Sequence, residues 1–410
     1  MKILHLSPYV PVPPNFGGAL RVYHLLKGLS RSNEVTFLTF GYENQKPALE
    51  ENFGSFLKAI HIVQPTWAWN YRRLAQFYSL FTPNSFFSLF TKSDEMQRLI
   101  NKILSEDNFD VIQMEFPIMG IFDFESDAVK ILDEHNVEYD NFYGMWKHAK
   151  TPIRRLHYMS EYKKSYKEEI ASCKKMDAIF VVSNRDKQIL DKEVPSIPKY
   201  LVPNGVDTLY FKPSGEVPEP YSLVFTGMMA YVPNYDGMLY FLDEIFPLVL
   251  KKIPQAKIYI VGNRPPKELE RRASGNVIIT GYVDDVRPYV RRASLYVVPL
   301  RMGGGTRLKV LEALAMKKPV VTTSVGCEGI DVSDNESVII RNNPAEFAKS
   351  IIEVLKNRDM QKSLGEKGYE TINSVYDWNV VSRRLEGSLK SVLLNQKRKK
   401  VNTREVNVSW

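Results

Sequence analysis

Residues 303–312 hold the densest group of side chains in this chain that could do chemistry. Gly303, Gly304 and Gly305 are followed by Thr306, Arg307, Leu308 and Lys309, with Glu312 a turn further on. Glycines let backbone N–H groups come close to a ligand that a Cβ would repel. A helix starting here adds partial positive charge, and Arg307 and Lys309 reinforce it. The set suits a diphosphate, and Glu312 is the residue type that accepts hydrogen bonds from a ribose diol. The same glycines would also serve a plain strand-to-helix turn with both cations in solvent. The joint presence of cap, cations and carboxylate favours anion binding. No Gly-x-Gly-x-x-Gly follows a strand and no Gly-Lys-Ser/Thr occurs, so neither the NAD fingerprint nor a Walker loop is present. A nucleotide is expected, but this segment alone does not fix its reaction.

The surrounding elements must hold that group. An apolar run at 295–298 leads into the glycine turn, and Thr306 is the expected N-cap. Leu308, Leu311 and Ala315 fall on one helical face, and a second apolar run at 319–322 closes the unit. Similar alternation recurs throughout. Strand-like runs at 3–6, 35–40, 111–114, 129–132, 178–182 and 199–202 are followed, after a break, by runs at 222–225, 257–261, 277–280, 295–298, 319–322 and 338–340. Helical stretches intervene, which predicts parallel βαβ units. The phrase VPNGVD at 202–207 is turn chemistry, and the proline-rich stretch 212–220 reads as a connector. The expected fold class is α/β, with two Rossmann-like doubly wound parallel sheets whose strand C-termini hold the ligand. The expected domains are 1–203 and 204–377, with a helix over 378–396 able to pack back on the first and an unstructured basic polar tail over 397–410.

With 410 residues, two domains of about 200 residues each are expected. Hydrophobic and charged shares of 44% and 25% are those of a soluble globular protein. No run reaches the roughly 18 apolar residues of a membrane span, and the N-terminus lacks a signal-peptide core. Cys173 and Cys327 offer neither a disulfide framework nor metal spacing, so a cytoplasmic location is expected. The net charge of +8 and pI near 9.1 suit an anionic membrane surface or phosphorylated substrates. No nucleic-acid-binding motif accompanies them, so no nucleic-acid partner is expected. Residues 67–90 are unusually aromatic, with Arg72 and Arg73 among Trp69, Tyr71, Phe77, Tyr78 and Phe81. They read either as core packing or as an interfacial segment that would place the protein peripherally on the inner membrane face. The Tyr- and Lys-rich stretch 161–175 reads as a solvated helix face.

Four phrases together carry a family resemblance: the Gly17-Gly18 loop, VPNGVD, ITGYVDDVRPYVRRASLYVVPL and GGGTRLKVLEALAMKKPVVTT. The chain resembles the retaining glycosyltransferases of family four (glycosyl transferases group 1), which have the GT-B fold. The resemblance implies two Rossmann-like domains facing a central cleft, the first for the acceptor and the second for a nucleotide sugar, most readily UDP- or GDP-linked. It implies that Arg307 and Lys309 meet the donor diphosphate and Glu312 the ribose. Gly281, Tyr282 and Val283 would read the base edge, and the amides of Gly17 and Gly18 would approach the phosphates and sugar. His135, in ILDEHNVEY, resembles the histidine beside the transferred sugar, though a lone histidine is as readily structural. The resemblance implies front-face transfer of a hexose to a glycan or lipid-linked acceptor, with no metal and no cofactor. Asp284-Asp285 is expected to cap the next helix.

Two departures stand out. Gly304 occupies the position of the first glutamate of the family's usual pair, which puts the identity of the sugar in doubt. Gly227, Met228 and Met229 replace the arginine and lysine that often follow the strand at 222–225, with Asn234 and Asp236 opening the next helix. Two other functions fit less closely: a non-catalytic nucleotide-binding module, and an epimerase acting on UDP-N-acetylglucosamine. Nucleotide, sugar, linkage, acceptor and oligomeric state are not legible.

Overall fold

The computed structural model describes residues 1–147, 149 and 151–408, the last ten as backbone alone. Contacts divide the chain into two units, Met1–Pro203 with Val381–Trp410, and Asn204–Val380.

Unit 1 is built on seven strands: β1 (Lys2–Ser7), β2 (Glu34–Phe40), β3 (Ala59–Val63), β4 (Val111–Glu115), β5 (Val129–Glu134), β6 (Ala178–Val181) and β7 (Lys199–Leu201). All pair in parallel, in the order β3-β2-β1-β4-β5-β6-β7. Every residue of β4 and β6 is buried, as expected where helices cover both faces of a parallel sheet. The sequence reading misses β3. Four of its five residues are only half-buried and His61 interrupts the apolar run, so this edge strand lacks the continuous hydrophobicity of its neighbours.

Unit 2 repeats the plan with β8 (Ser222–Thr226), β9 (Lys257–Val261), β10 (Val277–Gly281), β11 (Leu295–Val298), β12 (Val320–Thr322) and β13 (Ile339–Ile340). Their order is β10-β9-β8-β11-β12-β13, again parallel. Each sheet reverses direction of winding once, between β1 and β4 and between β8 and β11. Ligands of doubly wound sheets bind beyond the strand C-termini at such points. The second switch point is fastened from within, because the Tyr296 hydroxyl lies 2.6 Å from Thr226 Oγ1 and accepts from the Thr226 amide at 3.1 Å.

The final helix, Trp378–Val408, lays Val381, Leu385, Leu389 and Val392 on a buried face. Within unit 1, Gln396 donates to Asp177 at 2.7 Å and Asn395 to the Tyr200 hydroxyl at 3.3 Å. Its backbone stays helical through Val408, where an unstructured tail was expected. The basic residues there are good helix formers, with no Gly or Pro to stop them. Among the described residues, no helix is long and apolar enough to cross a membrane.

Candidate functional site

The glycine turn of unit 2 connects β11 to the helix Leu308–Ala315. Gly303 and Gly305 sit at φ +129° and +73°, a region costly for any residue with a Cβ. The helix starts one residue later than expected. Arg307, not Thr306, occupies the cap position, with no side-chain cap bond, and the Thr306 hydroxyl is buried without a hydrogen-bond partner. The expected N-cap is therefore wrong. The chain reaches the helix through the left-handed Gly305, and the cap position falls to the next residue but one. Arg307 is 8% exposed. Its guanidinium donates to the carbonyls of Gly304, Gly305 and Val325, so this cation braces the turn it was expected to serve.

Lys309 reaches across the switch point. Its ammonium donates to Asn234 Oδ1 at 2.8 Å and lies 4.0 Å from the centre of the Phe225 ring. Gly227, just beyond β8, sits at φ +152°, and a Cβ there would stand 2.7 Å from Lys309 Nζ and 2.9 Å from Asn234 Nδ2. Burial pushes Lys309 down to about 7, against the pull of Glu312. Burial likewise pushes Glu312 up to about 7, partly offset by Lys309. Both side chains are half-buried, and each favours the charged form of the other. Leu308 packs on the core beside them.

Gly281, Tyr282 and Val283 lie at the C-terminal end of β10, on the same sheet edge but two strands beyond β8. Gly281 is left-handed at φ +70°, Tyr282 is 68% exposed, and Val283 leans on the core. Asp285 accepts from the Arg287 amide at 2.9 Å and pairs with its guanidinium, but Val286, not either aspartate, occupies the cap position of the helix Arg287–Arg292, because the helix starts one residue later than the Asp284-Asp285 pair would set it.

In unit 1, His135 follows β5 directly and is buried. Its Nε2 lies 2.6 Å from Glu115 Oε2, while His5 Nε2 lies 2.9 Å from Glu115 Oε1. Burial alone would raise the Glu115 carboxyl, yet the two histidines hold it well below the usual carboxylate range. The ring of Phe116, at the unfavourable φ of +70°, covers His135 with centroids 3.8 Å apart. Such strain costs about 1–3 kcal/mol and here fixes the imidazole plane, leaving Nδ1 without a partner. Asp133 is held by Arg21 through two bonds of 2.7 and 2.9 Å. Arg21 also donates to the carbonyls of Val202 and Pro203, at 2.9 and 3.0 Å. Glu115, Asp133 and His135 present ligand atoms close enough together for a metal ion. Asp133 is already paired with Arg21, and Glu115 lies against both His5 and His135, so each of these carboxylates has partners within the protein.

Gly17 and Gly18 form the first turn of the helix Gly17–Leu29 instead of a free loop. A Cβ on Gly18 would collide with the Tyr9 hydroxyl and touch Phe116, so the glycine lets this helix close on the lid over His135. The stretch 161–175 is not simply solvated. Within the helix Pro152–Lys174, Glu161 and Glu169 are buried, and Glu169 accepts from the amides of Glu138 and Tyr139 at 3.2 and 3.1 Å. Burial raises Glu134 and Glu169 well above the carboxylate range, and Glu138 to about 7.

The chain matches two family models, "Glycosyltransferase Family 4" over residues 17–209 and "Glycosyl transferases group 1" over residues 220–357. It belongs to the family four, group 1 glycosyltransferases. A protein of Klebsiella pneumoniae described as an uncharacterized 44.6 kDa protein in the cps region is 26% identical over 92% of this chain and 96% of its own length. Poly(glycerol-phosphate) alpha-glucosyltransferase of Bacillus subtilis is 27% identical, over 53% of this chain but only 34% of that enzyme. Among solved structures, Anabaena HepE in complex with UDP superposes with a TM-score of 0.69 at 14% identity, over 95% of this chain and all of that one. TarM superposes with a TM-score of 0.68 at 14% identity, over 95% and 98% of the two chains. These likenesses show the GT-B fold.

For this glycosyltransferase, the geometry gives the two departures a physical meaning. The loop after β8 has no cation of its own, and the Lys309 ammonium stands against Gly227 in that space. At Gly304, the carbonyl of the substituted position is taken by Arg307. Sequence reasoning found Arg307, Lys309, Glu312 and the glycines, which the fold brings together. It missed Asn234 as the partner of Lys309, and it missed Glu115, His5, Asp133 and Arg21. Glu115 is the last residue of a strand read as ending at Met114, and a strand buried on both faces gives its polar residues no distinguishing position.

Proposed function

We propose that this glycosyltransferase moves a hexose from a UDP- or GDP-linked donor to a glycan or lipid-linked acceptor with retention at the anomeric carbon. The observation that carries the donor assignment is the Lys309 ammonium held at 2.8 Å from Asn234, beside two left-handed glycines at the switch point of unit 2. HepE was solved with UDP, and two relatives of Mycobacterium tuberculosis are named as GDP-mannose-dependent mannosyltransferases, which supports either base. Negative charge develops on the departing diphosphate as the sugar–phosphate bond breaks, so stabilising it is the largest catalytic task. Lys309 and the amides of the 303–306 turn perform it without a divalent ion or other cofactor, while Arg307 keeps the turn in shape. Glu312 receives the ribose hydroxyls, and Gly281, Tyr282 and Val283 border the base.

Unit 1 takes the acceptor. Within it, Glu115 fixes the orientation of His135 beside the sugar hydroxyls, and the leaving phosphate, not the histidine, removes the acceptor proton. The test is a thermal-shift series of the whole chain against UDP, GDP, ADP and their sugar conjugates, followed by nucleotide release with candidate acceptors. Stabilisation rises as RT ln(1 + [L]/Kd), so one base should stand out. No shift with any nucleotide sugar would overturn the donor assignment, and inversion at the anomeric carbon of the product would overturn retention.

A further inference from the structure

The segment following β3 is built inside out. Helix Arg72–Ser79 turns Ala75 and Ser79 inward, while Leu74 is 61% and Phe77 63% exposed. Tyr71 and Phe81, at 59% and 74%, extend the outward surface, and Trp67 joins it through an edge contact with Tyr78 at 5.8 Å. A helix of an ordinary globular domain does the reverse, burying its large apolar residues. The aromatics expected to pack as core divide accordingly. Trp69, Phe86, Phe87 and Phe90 pack with Ala68, Ala75 and Leu89, and the others face out. Ser79 fixes the orientation, donating to Glu161 at 3.1 Å and accepting from Lys164 through its carbonyl. The helix bearing Glu161 and Lys164 carries Ile153 and Leu156 at its start, 83% and 62% exposed.

Charge completes the pattern. No Asp or Glu occurs between Glu51 and Asp94 or between Asp140 and Glu161, and Arg72, Arg73, Arg154 and Arg155 are exposed among these apolar groups. Tyr and Trp rings with wet tips suit the headgroup level of a bilayer, and arginines suit its phosphates. We propose that this face of unit 1 docks on an anionic lipid surface, with Leu74, Phe77 and Phe81 entering the acyl boundary and Trp67, Tyr71 and Tyr78 at the headgroups. The docking does not depend on which donor unit 2 takes.

The experiment is sedimentation of the full chain with vesicles of phosphatidylcholine alone, or mixed with phosphatidylglycerol, at low and high salt. Binding is expected to the mixed vesicles and to weaken with salt. Arg72→Gln with Arg73→Gln should lower partitioning about 25-fold, from about fivefold per cation. Phe77→Ser with Phe81→Ser should abolish quenching of tryptophan fluorescence by brominated lipid. Both double variants should keep the wild-type melting temperature and nucleotide-induced shift, which separates this proposal from the donor assignment. Failure to bind mixed vesicles, or unchanged partitioning in both double variants, overturns it. So does a solution dimer that Phe77→Ser with Phe81→Ser dissolves, because the face would then join two copies of the chain.

Discussion

Replacing Lys309 by methionine should make this enzyme more stable and far less able to bind its donor. An amine held at about 7 against an ordinary 10.5 corresponds to about 5 kcal/mol against its charged form. That figure is an upper bound, since the side chain is only half-buried and bonds Asn234. A gain of about 1–2 kcal/mol is expected on removing it, or roughly 3–6 °C in Tm for a unit of this size. Methionine fills similar volume over the Phe225 ring, so no large cavity should offset the gain. Binding moves the other way. A unit charge about 4 Å from a phosphate contributes about 4 kcal/mol at an effective dielectric near 20, reduced to about 3 because Lys309 is partly neutral near pH 7. That is about two orders of magnitude in Kd. Differential scanning fluorimetry of both proteins with and without the preferred sugar nucleotide reads both effects. If Lys309→Met lowers Tm while keeping the full nucleotide shift, Lys309 is a packing residue and the donor argument is wrong.

Donor affinity should be flat below pH 7 and weaken by up to tenfold per pH unit above it, as the free enzyme's Lys309 loses its proton. Calorimetry in buffers of different ionisation enthalpy should show proton uptake on binding, and Lys309→Met should remove both effects. Because the unfolded chain keeps the Lys309 proton up to about 10.5, the stability gained by Lys309→Met should be full below pH 7 and fade between 7 and 10.5. Gly227→Ala should weaken donor binding at least tenfold without unfolding unit 2, because its Cβ would displace the Lys309–Asn234 pair; unchanged binding would show that the pair has room to move. Arg21→Leu should cost about 3–5 kcal/mol in urea denaturation by leaving buried Asp133 unpaired, with a smaller loss at acid pH, where Asp133 is protonated.

Much of the fold could be read from the chain because parallel strands buried on both faces advertise themselves as unbroken apolar runs, as in 295–298 and 178–181. The edge strand β3, half-wet and split by His61, gives no such signal. The residues assigned to the donor were legible because 303–312 is contiguous, so spacing alone placed Arg307, Lys309 and Glu312 together. In the His5–Glu115–His135 group, His5 lies within β1, Glu115 ends β4 and His135 follows β5, and only the β1-β4-β5 order makes them neighbours. The cap was misplaced at Thr306 because residue type favours threonine there, whereas the left-handed Gly305 and the carbonyl bonds of Arg307 decide where the helix begins.

The division of the chain has a consequence for biosynthesis. Residues 204–380 are inserted between two parts of unit 1, whose last helix supplies Val381, Leu385 and Leu389 to its core and packs Ser382 where Gly28 leaves room. On the ribosome the second lobe is contiguous and has all its strands before that helix emerges, while the first must wait with one side uncovered. A nascent chain halted after residue 380 would therefore carry a finished second lobe and an unfinished first one, the state in which a chaperone would find most to hold.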